Sequence, residues 1–341
     1  MADTVIITPT KNRSDPGSDT NLLEKTIYSV RSQTFKDYAH LIVDDDSNDM
    51  TEDLVHFYME KDPRILYLHR DKSNDEKPNA SCARNLGLAY VFGSNDGQLT
   101  AGQERELEQA EFITFLDDDD LLPEHSLAMR RAVMKKNPDL GMVYGNEMLF
   151  RDNGNGPEAY RRLRIANPKP RHLRKKILFK PSFPHLSTMW RREVAENIGY
   201  FDPDIGFGED KDYVLRGIAE IMRAGCGVAH IDEFVLFYRM HDGERLSTFY
   251  LGNGQNFEEM KEVEKKNMSS LDYRMFVLKR VLSKPHSFLP EAVKVVLRPV
   301  RDFAASLFLQ TFVKDDLQYS DDFLYKIEDT DSDFLRPIDE Q

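Results

Sequence analysis

Cysteine is nearly absent from this chain of 341 residues, with Cys82 and Cys226 as the only two. That scarcity excludes a disulfide framework, and their isolation excludes the paired spacing of a structural zinc site. A surplus of basic residues is missing too. The formal charge is -13, which excludes a nucleic-acid binder as a whole, because polyanion binding depends on positive surface. An anionic nucleotide can be held only where a metal or a local basic patch reverses that field. No stretch reaches the roughly 20 apolar residues of a membrane span. Met1-Ala2-Asp3 opens without a basic, apolar leader, so the expected location is the cytoplasm. There is no internal repeat, and the one biased segment is an Asp-rich tail. With 40% hydrophobic residues, the chain can form one large or two smaller cores.

What is present first is a rhythm. Val5-Ile6-Ile7, Leu41-Ile42-Val43 and Ile65-Leu66-Tyr67-Leu68 read as strands, and residues 22–33, 51–61 and 82–92 have helical spacing. This alternation is that of parallel β-α-β units, and it brings the polar ends of three strands to one edge. Residues 93–111 look like a polar surface insertion without chemistry. Residues 268–281 and 290–312 read as amphipathic helices of a separate C-terminal region.

Phe112-Ile113-Thr114-Phe115-Leu116 is a buried-strand pattern that ends in Asp117-Asp118-Asp119-Asp120. Adjacent carboxylates repel unless a cation or solvent relieves them, and hard oxygen donors suit Mg²⁺ or Mn²⁺. The carboxyl end of a strand is also where open α/β sheets bind ligands. The bland alternative is a solvated loop whose Leu121-Leu122-Pro123-Glu124 starts the next helix. For Asp44 to Asp49 the alternatives are an ordinary turn or a calcium loop. The calcium pattern fails, since Asp49 stands where Gly is needed and Val55 replaces the twelfth-position Glu.

The motifs Ile7-Thr8-Pro9-Thr10-Lys11-Asn12-Arg13, Val43-Asp44-Asp45-Asp46-Ser47-Asn48-Asp49, Ala83-Arg84-Asn85-Leu86-Gly87, Asp117-Asp118-Asp119-Asp120, Gly208-Glu209-Asp210-Lys211-Asp212 and Tyr238-Arg239-Met240-His241 follow one another in that order. In this order the sequence resembles family 2 glycosyltransferases of the GT-A fold, over residues 4–247. One departure is Asp46, where the family has Gly; Asp tolerates the left-handed backbone better than most residues. The resemblance implies an α/β fold, a Rossmann-like nucleotide-binding sheet with helices on both faces. It divides the chain into a glycosyltransferase domain over 1–254, with a nucleotide half to about 120 and an acceptor half beyond, and a helical region over 255–341. It implies that Thr8, Pro9, Thr10, Arg13, Asp44, Asp45, Arg84, Asp117 and Asp118 bind the nucleotide. Asp119, with Asp117 and His241, would ligate Mn²⁺ or Mg²⁺. Asp210 would be the base that takes the acceptor hydroxyl's proton, and Glu209 would orient the acceptor. Residues 242–255, with Gly243, Gly252 and Gly254, would close over the donor.

The expected activity is therefore inverting, metal-dependent hexosyl transfer from a UDP- or dTDP-linked sugar to a glycan or lipid-linked acceptor, in polysaccharide, O-antigen or capsule assembly. An anionic acceptor, a peripheral membrane contact and an oligomer are compatible with it. A catalytically inactive nucleotide-sugar-binding or scaffold protein is the alternative. A phosphatase of the Asp-x-Asp-x-Thr/Val type is discounted, because Leu121 follows the acids.

Residues 160–180 hold nine Lys or Arg and no acid. A solvated helix and loop, or a face pairing with the acidic tail, would account for them; so would an anionic acceptor such as a lipid-diphosphate-linked sugar. Exposed charges are screened over about 8 Å at physiological salt. On the second reading the acceptor KM rises with ionic strength, and charge reversal at Arg174, Lys175 and Lys176 raises it further without weakening nucleotide binding. A KM indifferent to both leaves the stretch with its structural explanation.

Overall fold

The structure, a computed structural model, describes residues 2–13, 21–71, 79–94, 96–152, 157–163, 173, 185–206, 208–240, 263 and 266–267. His241, the expected lid at 242–255, the C-terminal helices and most of the basic stretch lie outside those residues. Within them run β1 (Thr4–Thr10), α1 (Leu22–Arg31), β2 (Tyr38–Asp44), α2 (Thr51–Lys61), β3 (Ile65–His69), α3 (Ala80–Val91), α4 (Ala101–Glu108) and β4 (Phe112–Phe115). They continue with α5 (Ser126–Lys136), β5 (Leu140–Asp152), β6 (Pro157–Leu163), β7 (Thr188–Arg191), α6 (Arg192–Ile198), α7 (Glu209–Ala224) and β8 (Gly227–Arg239).

The strands form one sheet in the order β3-β2-β1-β4-β7-β5-β6, with β8 along the other edge of β5. β1 is parallel to β2 and β4, and β2 to β3. β7 enters antiparallel between β4 and β5 and so joins the parallel half to the rest. Every residue of β1, β2 and β4 is buried. Such runs of apolar residues without alternation are what a sheet covered on both faces requires.

The side chains show which helix covers which face. Ile42, Ile65 and Tyr67 pack with Leu23 and Ile27 of α1 and Val55 and Tyr58 of α2. Val43, the next residue along β2, lies beside Gly87 of α3. Successive strand residues point to opposite faces, so α1 and α2 cover one face and α3 the other. Helices on both faces, as expected, are what the chain builds.

The structure differs from expectation at three places. Residues 101–108 of the supposed surface insertion are a helix. Thr100 and Gln103 close a capping box at its start, and Leu107 is fully buried. Leu121 does not begin a helix but bridges Phe237 of β8, and α5 waits until Ser126. The start of the basic stretch is a strand, β6, rather than a helix or loop. Polar composition hid both α4 and β6 from a reading based on apolar periodicity.

Behind β4 and β7 lies an aromatic cluster. Phe201 stacks on Tyr213 with ring centroids 4.2 Å apart, and Phe115 meets Phe201 edge-on at 5.2 Å. Asn85 holds the Phe201 backbone at both ends, its Nδ2 donating to the carbonyl at 2.9 Å and its Oδ1 accepting from the amide at 2.7 Å. Arg130 is fully buried and, among the described residues, meets no carboxylate; it donates to the Thr114 hydroxyl at 2.9 Å and the Thr188 carbonyl at 3.1 Å. It ties α5 to β4 and to the residue that opens β7.

α3 rides unusually close to the sheet. A Cβ placed at Gly87 would sit 2.7 Å from Ile7 Cγ2 and 3.3 Å from Val43 Cγ2. Gly87→Ala is therefore expected to destabilise the protein by about 1–3 kcal/mol, the usual cost of overpacking a tight contact. Urea unfolding of the variant checks this; an unchanged midpoint would mean that α3 can lift from the sheet without loss.

Candidate active site

Four parallel strands end on one edge because their registers are nearly level: Thr10 of β1 lies opposite Asp44 of β2, Asp44 opposite His69 of β3, and Ile7 opposite Phe115 of β4. The turns that follow place Arg13, Asp44 to Asp46, His69 and Asp117 to Asp120 along a single rim. Asp46 has φ of +62°, the left-handed backbone expected of it. Lys11 Nζ donates to its carbonyl, and Asn12 N donates to Ser47 Oγ at 2.9 Å, so the first and second turns are laced together.

Several expected nucleotide-binding residues are already engaged by the protein. The Thr8 hydroxyl is buried on His40 Nε2 at 2.9 Å. Burial lowers that imidazole to about 3, so it stays neutral. Pro9 and Thr10, at the end of β1, are buried too. The Asp44 carboxyl accepts from the Tyr67 hydroxyl and from Ser47 N, both at 2.9 Å. Asp45 accepts from Arg70 Nε at 2.6 Å and from Asn79 N at 3.0 Å. Because Asn79 is the N-cap of α3, Asp45 fixes where that helix starts.

The four-acid turn alternates. The side chains of Asp117 and Asp119 are 35% and 20% exposed, whereas Asp118 and Asp120 are 6% and 1% exposed as residues. Asp118 turns inward to Arg13 Nε, with oxygens at 3.1 and 3.2 Å, and Arg13 Nη2 reaches Asp119 at 3.6 Å. Burial raises the Asp118 carboxyl against the pull of Arg13. Asp120 anchors the turn to β8. It accepts from Arg239 N at 2.7 Å, while Arg239 Nε donates to the Asp119 carbonyl at 2.8 Å. Burial, and then the charges of Asp119 and Asp117, hold Asp120 well above the usual carboxylate range. The strand that leads to His241 is thus locked to the acid turn.

Arg84 joins this rim to the second half of the chain. Its guanidinium donates to Asp117 Oδ1 at 2.7 Å and to Glu209 Oε1 at 3.2 Å, and lies 5.4 Å from the centre of the Phe201 ring. Burial opposes its charge, but Asp117 and Glu209 outweigh that and raise its pKa. Glu209 and Asp210 open α7 after Gly208, whose φ of +88° provides a left-handed N-cap. Asp210 accepts from Lys211 N at 2.6 Å. Burial, and then the charge of Glu209, push it up to about 7.

A further acid, Glu147 on β5, belongs to none of the sequence motifs. It is buried, and burial and the charge of Asp210 push it up to about 8. A carboxylate following Tyr144-Gly145-Asn146 inside a strand was the available signal. Equally, nothing in the sequence announced that Arg13 and Arg84 would be spent on the acids.

Among the described residues, no three His, Cys, Asp or Glu side chains form a preassembled metal cage. The donor chemistry nonetheless fits a divalent cation. Asp117 and Asp119 offer hard carboxylate oxygens on the exposed side of the turn, and a bound diphosphate or water can complete the shell. No described helix is long and apolar enough to cross a membrane.

The family described as Glycosyl transferase family 2 matches residues 5–199. An uncharacterized glycosyltransferase of Methanocaldococcus jannaschii is 25% identical over 225 residues, 64% of this chain and 66% of that protein. The GalNAc(5)-diNAcBac-PP-undecaprenol beta-1,3-glucosyltransferase of Campylobacter jejuni is 34% identical over 147 residues, 43% of this chain and 38% of its own. The chain thus spans less than two thirds of these curated relatives. Among solved structures, S. aureus TarS 1–349 in complex with UDP-GlcNAc superposes with a TM-score of 0.57 at 17% identity, over 91% of this chain and 81% of that one. Matched over more than half its length, and built on the α/β sheet of a GT-A enzyme, the chain belongs to glycosyl transferase family 2.

Proposed function

We propose that this protein transfers a hexose, with inversion, from a UDP- or dTDP-linked donor to an acceptor hydroxyl. The observation that carries the proposal is the Arg84 bridge, which brings the acid turn and the Glu209-Asp210 turn into one site. Inverting displacement needs a base on one side of the anomeric carbon and a stabilised diphosphate on the other. Asp210, raised to about 7 by burial and by Glu209, suits a base that works near neutral pH. It takes the acceptor hydroxyl's proton as the oxygen bonds to the anomeric carbon and the bond to the diphosphate breaks. Glu209, held by Arg84, orients the acceptor. Asp119 and Asp117, with His241, would hold Mn²⁺ or Mg²⁺, which offsets the negative charge of the leaving diphosphate. Arg13 and Arg84 add positive charge beside the same group. The rim formed by Thr10, Asp44 and Asp45 receives the nucleoside.

The acceptor we favour is a sugar linked to a lipid diphosphate. The Campylobacter relative is named for such an acceptor, and the basic stretch at 160–180 would face an anionic headgroup at a membrane surface. Polysaccharide assembly follows as the setting.

Two outcomes are expected. Asp119→Ala should abolish Mn²⁺-dependent binding of UDP or dTDP while the protein stays folded; calorimetry showing unchanged nucleotide affinity in the variant, or in chelator, would overturn the metal assignment.

Asp210→Asn should keep donor affinity and lose transfer by roughly 10²-fold or more, the scale of a missing general base. A base acts deprotonated, so wild-type kcat/KM should climb as pH rises through about 7 and then level off, and the variant should lack that limb. The same shift has a stability signature. The folded state holds the Asp210 proton more tightly than the unfolded chain, so folding is progressively penalised as pH rises above the ordinary carboxylate range. The Asn variant should accordingly melt higher than wild type at pH 8. Near-wild-type transfer, or an unaltered pH profile, would remove Asp210 from the role.

A further inference from the structure

Glu147 has no part in the reaction as drawn above, yet it stands inside the site. It lies on β5 in register with Leu236 of β8, one position before the Phe237 that bridges Leu121 at the end of the acid turn. The residue is 6% exposed. No described residue donates a hydrogen bond to its carboxyl, and what acts on that group is burial and the charge of Asp210. Asp120 feels Glu147 in turn. Among the described residues the carboxyl is therefore buried, without a hydrogen-bond donor, and within the influence of two other acids.

Such a group costs the protein stability, because it has given up water and received no hydrogen bond in exchange. Unfavourable groups of this kind concentrate where a ligand completes them. Its surroundings limit the ligand's chemistry. Asp210 and Asp120 repel an anion. The described arginines at the rim are engaged: Arg84 on Asp117 and Glu209, Arg13 on Asp118 and Asp119, and Arg239 on the Asp119 carbonyl. A sugar hydroxyl, neutral and able to both donate and accept, satisfies a carboxyl in either protonation state. The donor nucleotide would sit at the ends of β1, β2 and β4, whereas Glu147 comes from β5, beyond β7, near enough for the charge of the proposed base to act on it.

We propose that Glu147 binds a hydroxyl of the acceptor sugar beside the one that Asp210 deprotonates, and thereby selects which acceptor fits and how it is turned. This rests on the glycosyltransferase reading given above. The experiment uses the full chain with UDP-glucose or UDP-N-acetylglucosamine, Mn²⁺, and farnesyl-diphosphate-linked N-acetylglucosamine as the acceptor probe. Glu147→Leu should raise the acceptor KM about tenfold or more, the worth of a hydrogen bond to an ionisable group. It should leave UDP affinity unchanged and melt at the same temperature as wild type or higher. Glu147→Gln, which keeps a donor and an acceptor, should retain most of the acceptor affinity. A structural role predicts the opposite stability result, with both variants melting lower. Lower melting temperatures in both, an unchanged acceptor KM in the Leu variant, or a parallel loss of UDP affinity would each overturn the proposal while the enzyme's function stands. A wild type that transfers neither sugar to the probe would overturn the functional reading, and this inference with it.

Discussion

The structure depends on balancing negative charge at one sheet edge. Asp117, Asp118, Asp119, Asp120, Glu147, Glu209 and Asp210 gather there, and among the described residues Arg13 and Arg84 form ion pairs with them. Carboxylates crowded out of water cannot all ionise at their ordinary pKa. Burial, and then repulsion among the acids, raises the pKa of Asp118, Asp120, Glu147 and Asp210. A site in that condition favours any added cation, whether a proton or a divalent metal, which is the electrostatic requirement for receiving a diphosphate in an acidic protein.

The arginines do more than neutralise. A buried guanidinium with one carboxylate would fix a distance; Arg84 with two fixes the spacing between elements from different halves of the chain. The ring of Phe201 under it, itself held by Asn85, removes the remaining freedom. Lysine could not replace this arrangement, since a point charge lacks the planar fork that reaches Asp117 and Glu209 together.

Much of the donor half was legible in the sequence for a simple reason: parallel strands buried on both faces are continuous apolar runs, and the polar residues that end them mark the rim. The acids, the left-handed Asp46 and the start of α7 were legible as motifs. The pairing was not. Arg13 meets Asp118 across 105 residues and Arg84 meets Glu209 across 125, and no local pattern records which of two nearby carboxylates a long side chain will choose. Glu147 lies inside a strand that carries none of the motifs, and α4 was hidden because its helix rests on a capping box and one buried Leu107 rather than on an apolar stripe. The separate tasks of Asp44 and Asp45, one turned to Tyr67 and the other to the start of α3, likewise follow from contacts between elements.

The Arg84 bridge also orders events in time. When the first half of the chain emerges during synthesis, β1, β2, β3 and β4 can already pair, and Asp117 is within reach of Arg84, but Glu209 has not been made. Asn85 likewise waits for Phe201, which lies 116 residues later. Contacts this distant in sequence close late, after the loops between them have been ordered. Until Phe201 and α7 are made, Arg84 has Asp117 but not Glu209, and Phe115 has neither Phe201 nor Tyr213 against it. Completing the Arg84 bridge therefore requires α7, and a chain cut short between β4 and α7 lacks Glu209, Asp210 and the Tyr213 ring that meets Phe115.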